Sequence, residues 1–181
     1  MSAAMQQIHV RDARPDERGA LQALTLAAYE EFAATMAPSA WAALRRALLS
    51  ALGTDQPVER IVAERDGRLV GSVLLFPPAR NAYDGAVAQI DWPEVRLLAV
   101  APESRGQGVG AALMDECVRR ARQTGATALG LHTSESMKAA LRMYERMGFV
   151  RAPEYDFHPD GAELVQGYRL SLADVEPVSE R

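Results

Sequence analysis

This chain has little of what usually betrays a function by composition. It carries one cysteine, Cys117, in 181 residues, which excludes an internal disulfide and any metal cluster built on several thiolates. No metal site is expected. Long apolar runs are missing: no stretch approaches the ~20 residues of a membrane span, and the opening MSAAMQQIHVRDA has no apolar core for a signal peptide. The expectation is therefore no membrane partner and a cytoplasmic location. There is no basic field either. A net charge of −4 and a pI of about 5.4 argue against a nucleic-acid partner, which needs phosphate-neutralising Lys and Arg in excess. Internal repeats and low-complexity linkers are also absent.

What is present suits one globular unit. Nearly half the residues, 48%, are hydrophobic, enough for a sizeable core in a single domain over residues 1–173, with 174–181 as a frayed tail. Ile8–Arg11 reads as a short strand, ended by Asp12-Ala13-Arg14-Pro15. Pro15 and Asp16 open a helix to about Ala33, with Leu21, Leu24, Ala28 and Phe32 on one face. Pro38-Ser39 opens a second to about Leu52, with Trp41, Leu44, Leu48 and Leu52 at helical spacing. Ile61–Glu64, an Asp66-Gly67 turn and Leu69–Phe76 form a β-hairpin, and Pro77 to Trp92 reads as a polar loop. A strand Glu94–Val100 and a helix from about Gly108 to Gln123 follow, the helix burying Val109, Leu113, Cys117, Val118 and Ala121. Cys117 is thus a packed thiol rather than a nucleophile. A strand Ala128–Thr133, a helix from Ser136 to Met147 closed by Gly148, a strand from Phe149-Val150 and a last strand Tyr168–Leu172 complete the pattern. Such alternation predicts a layered α/β domain with helices on both faces of a mixed sheet.

The most informative segment is Leu97–Gly110, LLAVAPESRGQGVG. An apolar strand runs through a turn at Ala101-Pro102 into glycines at alternate positions, Gly106, Gly108 and Gly110, and a helix starts at once. Unpaired amides and the positive end of the helix dipole attract an anion there, and glycine lets the backbone approach phosphate oxygens. A pyrophosphate cradle is the expectation. It is not a Walker loop, because no Lys-Ser/Thr follows the glycines, and the G-x-G-x-G spacing differs from the G-x-G-x-x-G of dinucleotide folds.

Arg105-Gly106-Gln107-Gly108-Val109-Gly110 instead resembles the Arg/Gln-x-x-Gly-x-Gly/Ala loop of the GCN5-related N-acetyltransferases, the GNAT family, which binds the pyrophosphate of acetyl-coenzyme A. About 35 residues further on, Tyr144-Glu145-Arg146-Met147-Gly148-Phe149 is similar to that family's Tyr-Glu-x-x-Gly-Phe segment. The resemblance covers about Ile61 to Phe149. It implies the GNAT fold: a central mixed, mostly antiparallel sheet of about six or seven strands with helices on both faces. The family's fourth and fifth strands, here Glu94–Val100 and Ala128–Thr133, splay apart.

By the same resemblance, the cosubstrate is acetyl-CoA. The Leu98 amide faces its thioester, Ala99 and Val100 run beside the pantetheine arm, and Arg105, Gly106, Gln107, Gly108, Val109 and Gly110 surround the phosphates. Met137 stands where many members carry a pantetheine-binding asparagine, and it cannot donate that bond; Ser134 or Ser136 is the available substitute. Transfer to an amine needs a base, stabilisation of the oxyanion and an acid for the thiolate. Tyr144 occupies the acid position, although a tyrosine beside Met143 and Met147 also suits packing. Glu94 is the candidate base, with pairing to Arg96 on the same strand face as its structural reading, and His132 is the other candidate. The resemblance implies an N-acetyltransferase moving acetyl to a small-molecule or peptide amine by direct attack in a ternary complex, and it allows a homodimer. The competing reading is a non-catalytic acyl-CoA-binding or sensory domain. Expected acceptor-pocket residues are Tyr29, Phe32, Trp41, Tyr83, Trp92, Tyr155 and His158, with Glu30, Glu31, Asp91 and Asp156 as acids able to hold a cationic amine.

Overall fold

The computed structural model describes residues 7–159 and 162–173; the expected tail, 174–181, lies outside them. The elements in chain order are β1 (His9–Asp12), α1 (Arg18–Tyr29), α2 (Pro38–Gly53), β2 (Glu59–Arg65), β3 (Arg68–Phe76), β4 (Ala79–Ala82) and β5 (Val87–Ile90). They continue with β6 (Glu94–Val100), α3 (Val109–Gln123), β7 (Ala128–Thr133), α4 (Lys138–Arg146), β8 (Val150–Arg151) and β9 (Gln166–Ser171). Seven strands form one sheet in the order β1-β2-β3-β6-β7-β9-β8. Its neighbours pair antiparallel except β6 and β7, which run parallel.

Strand alternation sorts the core into two layers. Val62 and Leu74 point to one face, where they meet Leu21 of α1 and Leu52 of α2. Ile61, Val73, Val95, Leu129 and Leu131 point to the other, against Val109, Leu113, Cys117 and Ala121 of α3 and Tyr144 of α4. Cys117 is fully buried there, and burial pushes its thiol up to about 12. It is a packing residue.

Two boundaries differ from the sequence pattern for local reasons. The first helix is α-helical only to Tyr29 and tightens into a 3-10 turn over Glu30–Ala34, where the Thr35 amide bonds Phe32 three residues back. The last long helix starts at Lys138, because Ser134 accepts the Met137 amide and bonds Ser136 side chain to side chain, making a turn. The larger correction concerns Pro77 to Trp92. This is not an open loop but contains the β4–β5 hairpin, whose Ala82, Val87 and Ile90 bury against Tyr83, Trp92, Tyr155 and Phe157. Its strands are four residues each and are joined through Asp84-Gly85, so their few apolar positions show no clear period.

The feature that positions the site is in β6. Ser72 faces Ala99 and Leu74 faces Arg96, so the single Val73 of β3 opposes both Leu97 and Leu98. This is a β-bulge, and Leu97 adopts a left-handed φ of 53° to make it. β6 meets β7 only at Glu94–Gly130 and Val95–Leu131. Beyond Val95 the two strands part.

Candidate active site

The loop after β6, expected as an anion cradle, leads straight into the N-terminus of α3. Gly106 and Gly108 have φ of 70° and 82°, and open space lies beside both. Gly108 is the N-cap of α3 and offers no side chain to its amides. The first bond of the helix joins the Ala112 amide to the Gly108 carbonyl at 3.0 Å, so the amides of Val109, Gly110 and Ala111 remain for an external acceptor. A Cβ on Gly110 would lie 3.4 Å from the Met143 sulfur and 3.7 Å from Val100. Here β6, α3 and α4 converge. The flanking side chains brace the loop: Arg105 donates to Glu31 at 2.7 Å and to the Ala28 carbonyl at 2.9 Å, joining it to α1. Gln107 accepts from Arg65 and donates to the Glu103 carbonyl. Arg65 had no sequence signal; its place beside the glycines follows from the β2–β3 turn.

Ala101 donates its amide to Val70 of β3 at 2.9 Å. By antiparallel alternation, Val100 and Leu98 turn their amides the other way, into the gap left by β7. Ala99 lies between them, buried and paired with Ser72. At the gap's other edge, Thr133 ends β7 with a buried hydroxyl that has no partner among the described residues. Met137 is half-buried at the N-cap of α4.

On the α1/α2 face of the sheet, opposite Val95, Glu94 is 1% exposed. All its identified partners crowd one oxygen. Oε1 accepts from the Tyr83 hydroxyl and from Arg96 Nε at 3.1 Å, and His132 Nδ1 lies 3.2 Å away. Oε2 is buried with no partner among the described residues. Burial by itself pushes the Glu94 carboxyl up, but His132, Arg96 and Tyr83 outweigh it and hold the group below its ordinary value. Arg96 is clasped between the Phe76 and Tyr83 rings, 4.3 and 4.1 Å from their centroids. Tyr83 reaches this spot from the β4–β5 turn with a φ of 54°, a left-handed value uncommon for an aromatic residue. His132 turns its other nitrogen, Nε2, to the Tyr155 carbonyl at 2.9 Å.

Tyr144 approaches from the opposite face. It is 6% exposed and packs its ring on Phe149 with centroids 5.9 Å apart. Its hydroxyl makes no hydrogen bond among the described residues and is not among their fully buried unpartnered atoms. Burial, with Tyr29 and Cys117 nearby, pushes the phenol well above its ordinary value, so it keeps its proton throughout the neutral range.

The sequence matches the acetyltransferase (GNAT) family over residues 22–149, a span that includes the cradle, the parted strands, Glu94 and Tyr144. The chain belongs to the GNAT family. Among curated relatives it is 34% identical over 96 residues to the mycothiol acetyltransferase of Cellulomonas flavigena, covering 52% of this chain and 27% of that protein. It is 26% identical over 118 residues to the N-alpha-acetyltransferase MAK3 of Arabidopsis thaliana, covering 64% and 56%. The chain thus matches only part of the length of these relatives. Its fold is shared with a Brucella melitensis GNAT acetyltransferase crystallised with acetyl-CoA, at a TM-score of 0.59 and 23% identity over 92% of this chain and 88% of that one. It is shared too with the ribosomal-protein-S18-alanine N-acetyltransferase of Escherichia coli, at 0.63 and 17% over 97% and 100%.

Within this GNAT domain the expected acceptor-pocket residues divide. Tyr83, Trp92 and Tyr155 stand with Phe157 around the Glu94 cluster, Trp92 and Tyr155 packing edge to face at 5.2 Å. Gly130 is required there, since a Cβ would collide with the Trp92 indole. Tyr29 and Phe32 pack together at the end of α1, Trp41 is half-buried at the start of α2, and His158 is exposed. Asp156 is committed elsewhere: it pairs with Arg151 at 2.7 Å and accepts the Gly167 amide. Glu31 is taken by Arg105, and Asp91 accepts from Gln89.

Proposed function

We propose that this chain is an acetyl-CoA-dependent N-acetyltransferase that moves acetyl to a primary amine of a small molecule or a peptide N-terminus, by direct attack in a ternary complex. The observation that carries the reading is the gap between β6 and β7, with a buried carboxylate oxygen left unpartnered on one face of the sheet and a protonated phenol on the other. Coenzyme A's pyrophosphate suits the open amides of Val109 and Gly110 at the helix N-terminus, and the amides of Leu98 and Val100 suit a carbonyl and the pantetheine arm. When bound, acetyl-CoA supplies an activated acyl carbon and a thiolate leaving group.

The residues then divide the proton work. An alkylammonium has no lone pair, so one proton must leave nitrogen before the attack. Glu94 Oε2 takes it, directly or through one water; Oε1 is already occupied by donors. His132 has both ring nitrogens engaged, which leaves Glu94 as the base. Tyr144 gives its hydroxyl proton to the departing sulfur and regains one from the cationic nitrogen of the nascent amide, and Glu94 hands the proton it took to water as the products leave. The relatives' printed names, a mycothiol acetyltransferase and an N-alpha-acetyltransferase, fit acceptors of both kinds.

The test is Tyr144→Phe, which keeps the ring and its packing on Phe149. Turnover of acetyl-CoA, followed by free-thiol release with peptide and alkylamine acceptors, should fall ~10²–10⁴-fold with coenzyme A affinity and melting temperature nearly unchanged. Full turnover in the variant would return Tyr144 to a packing role.

A further inference from the structure

The Glu94–His132 contact is governed by a single proton. The Tyr155 carbonyl only accepts, so the His132 Nε2 that faces it at 2.9 Å carries hydrogen. In a neutral ring that assignment leaves Nδ1 with a lone pair, and Nδ1 faces Glu94 Oε1 at 3.2 Å. Two acceptors would then oppose each other at hydrogen-bonding distance inside the protein, both side chains being 5% exposed or less. A proton on the line between them turns the contact into a charge-assisted bond. The ring is packed edge-on against Tyr83 at 4.8 Å and at a tilt against Phe157 at 5.5 Å, which holds it in this orientation.

We propose that His132 is a positioning residue for the transfer: anchored by the Tyr155 carbonyl, it shares one proton with Glu94 Oε1 and so keeps Glu94 ionised, with Oε2 as the oxygen free to receive the acceptor's proton. This rests on Glu94 being the base. The groups facing the pair are the Tyr83 hydroxyl from the hairpin, Arg96 from β6, and Tyr155 and Asp156 from the segment before β9. Arg96 and Tyr83 would remain on Oε1 without His132, but they would face the burial cost of the carboxylate alone. The first two candidates for one role, base or alternative base, are in this account two halves of one device.

The experiment reads Glu94 directly, without an acceptor. The full chain is labelled with glutamate carrying a 13C carboxyl, and the Glu94 resonance is assigned by its loss in Glu94→Gln. Its titration is followed in wild type, His132→Phe and His132→Asn. Phenylalanine fills the ring's space without a donor, and asparagine restores a non-titrating N–H near the Nδ1 position. The Glu94 titration should move up by ~1 pH unit or more in His132→Phe and return most of the way in His132→Asn. Superimposable curves in all three proteins would overturn the proposal. Should His132→Phe fail to fold, His132→Asn against His132→Gln decides: glutamine reaches the Tyr155 carbonyl but not Oε1, so it alone should show the upward shift, and equal curves would overturn the proposal. The role of Glu94 as base is tested separately by Glu94→Gln turnover, so failure of that reading leaves a distinct signature from failure of this one.

Discussion

Glu94 has two oxygens in different circumstances, and the asymmetry decides its chemistry. Oε1 is held by Tyr83 and Arg96 beside His132, whereas Oε2 is buried and unpartnered. A carboxylate held in this way is fixed in direction but keeps one acceptor for a proton. Glu94→Gln retains the shape and removes the capacity. At pH 7 its turnover should fall ~10²–10³-fold, and much of the loss should return near pH ~9–10, where hydroxide supplies the free amine. Coenzyme A affinity should be unchanged, since the cradle lies beyond the β6 bulge. Superimposed pH–rate curves for the two proteins would remove Glu94 from the role. Glu94, Arg96, His132 and Tyr144 are each visible as residue types in the sequence. What was not readable is that the first three share one oxygen. That depends on Tyr83, delivered by a hairpin turn at φ 54°, and on the backbone carbonyl of Tyr155; both tyrosines are visible in the sequence as pocket candidates, but the turn and the carbonyl that bring them to this oxygen are not.

At the scale of elements, the strongly periodic parts were legible and the weakly periodic parts were not. α3 lies where the apolar pattern puts it, because its buried Val109, Leu113, Cys117 and Ala121 recur at helical spacing, and β6 and β7 are legible as short apolar runs bounded by turn residues. The β4–β5 hairpin was missed because four-residue strands carry too few apolar positions to show a period. Elements are also tied by charges that a pattern does not reveal. Arg11 of β1 donates to Glu17 at the entry to α1 and to Glu64 of β2, and Glu17 also accepts the Arg14 amide. Arg11 above all holds the Glu17 carboxyl down at about 2 from an ordinary 4.5. A depressed folded-state value means that the contribution is complete above pH ~4.5 and is lost as pH falls toward ~2. The melting temperature of the wild type should therefore drop more steeply across that window than that of Glu17→Gln, which is less stable at pH 7. Parallel melting curves against pH would show that the Arg11–Glu17 tie carries no net stability.

Across the whole molecule, one sheet serves two faces. α3 and α4 bring the glycine loop and Tyr144 from one side, while on the other, which α1 and α2 also cover, Tyr83 of the hairpin, Arg96 and His132 surround Glu94. The parting of β6 and β7 beyond Val95 connects them, and the bulge at the left-handed Leu97 lies just inside it. The central claim is that this gap and its glycine loop receive coenzyme A. Gly108 tests it most directly: a Cβ there meets open space, and the φ of 82° makes Gly108→Val cost ~1–3 kcal/mol of backbone strain while setting a branched side chain beside the amides proposed to meet the phosphates. Calorimetric titration with coenzyme A, alongside circular dichroism to verify the fold, should show binding by the wild type and a loss of ~10²-fold or more in Gly108→Val. No binding by the wild type, or equal affinity in a folded variant, would contradict the account.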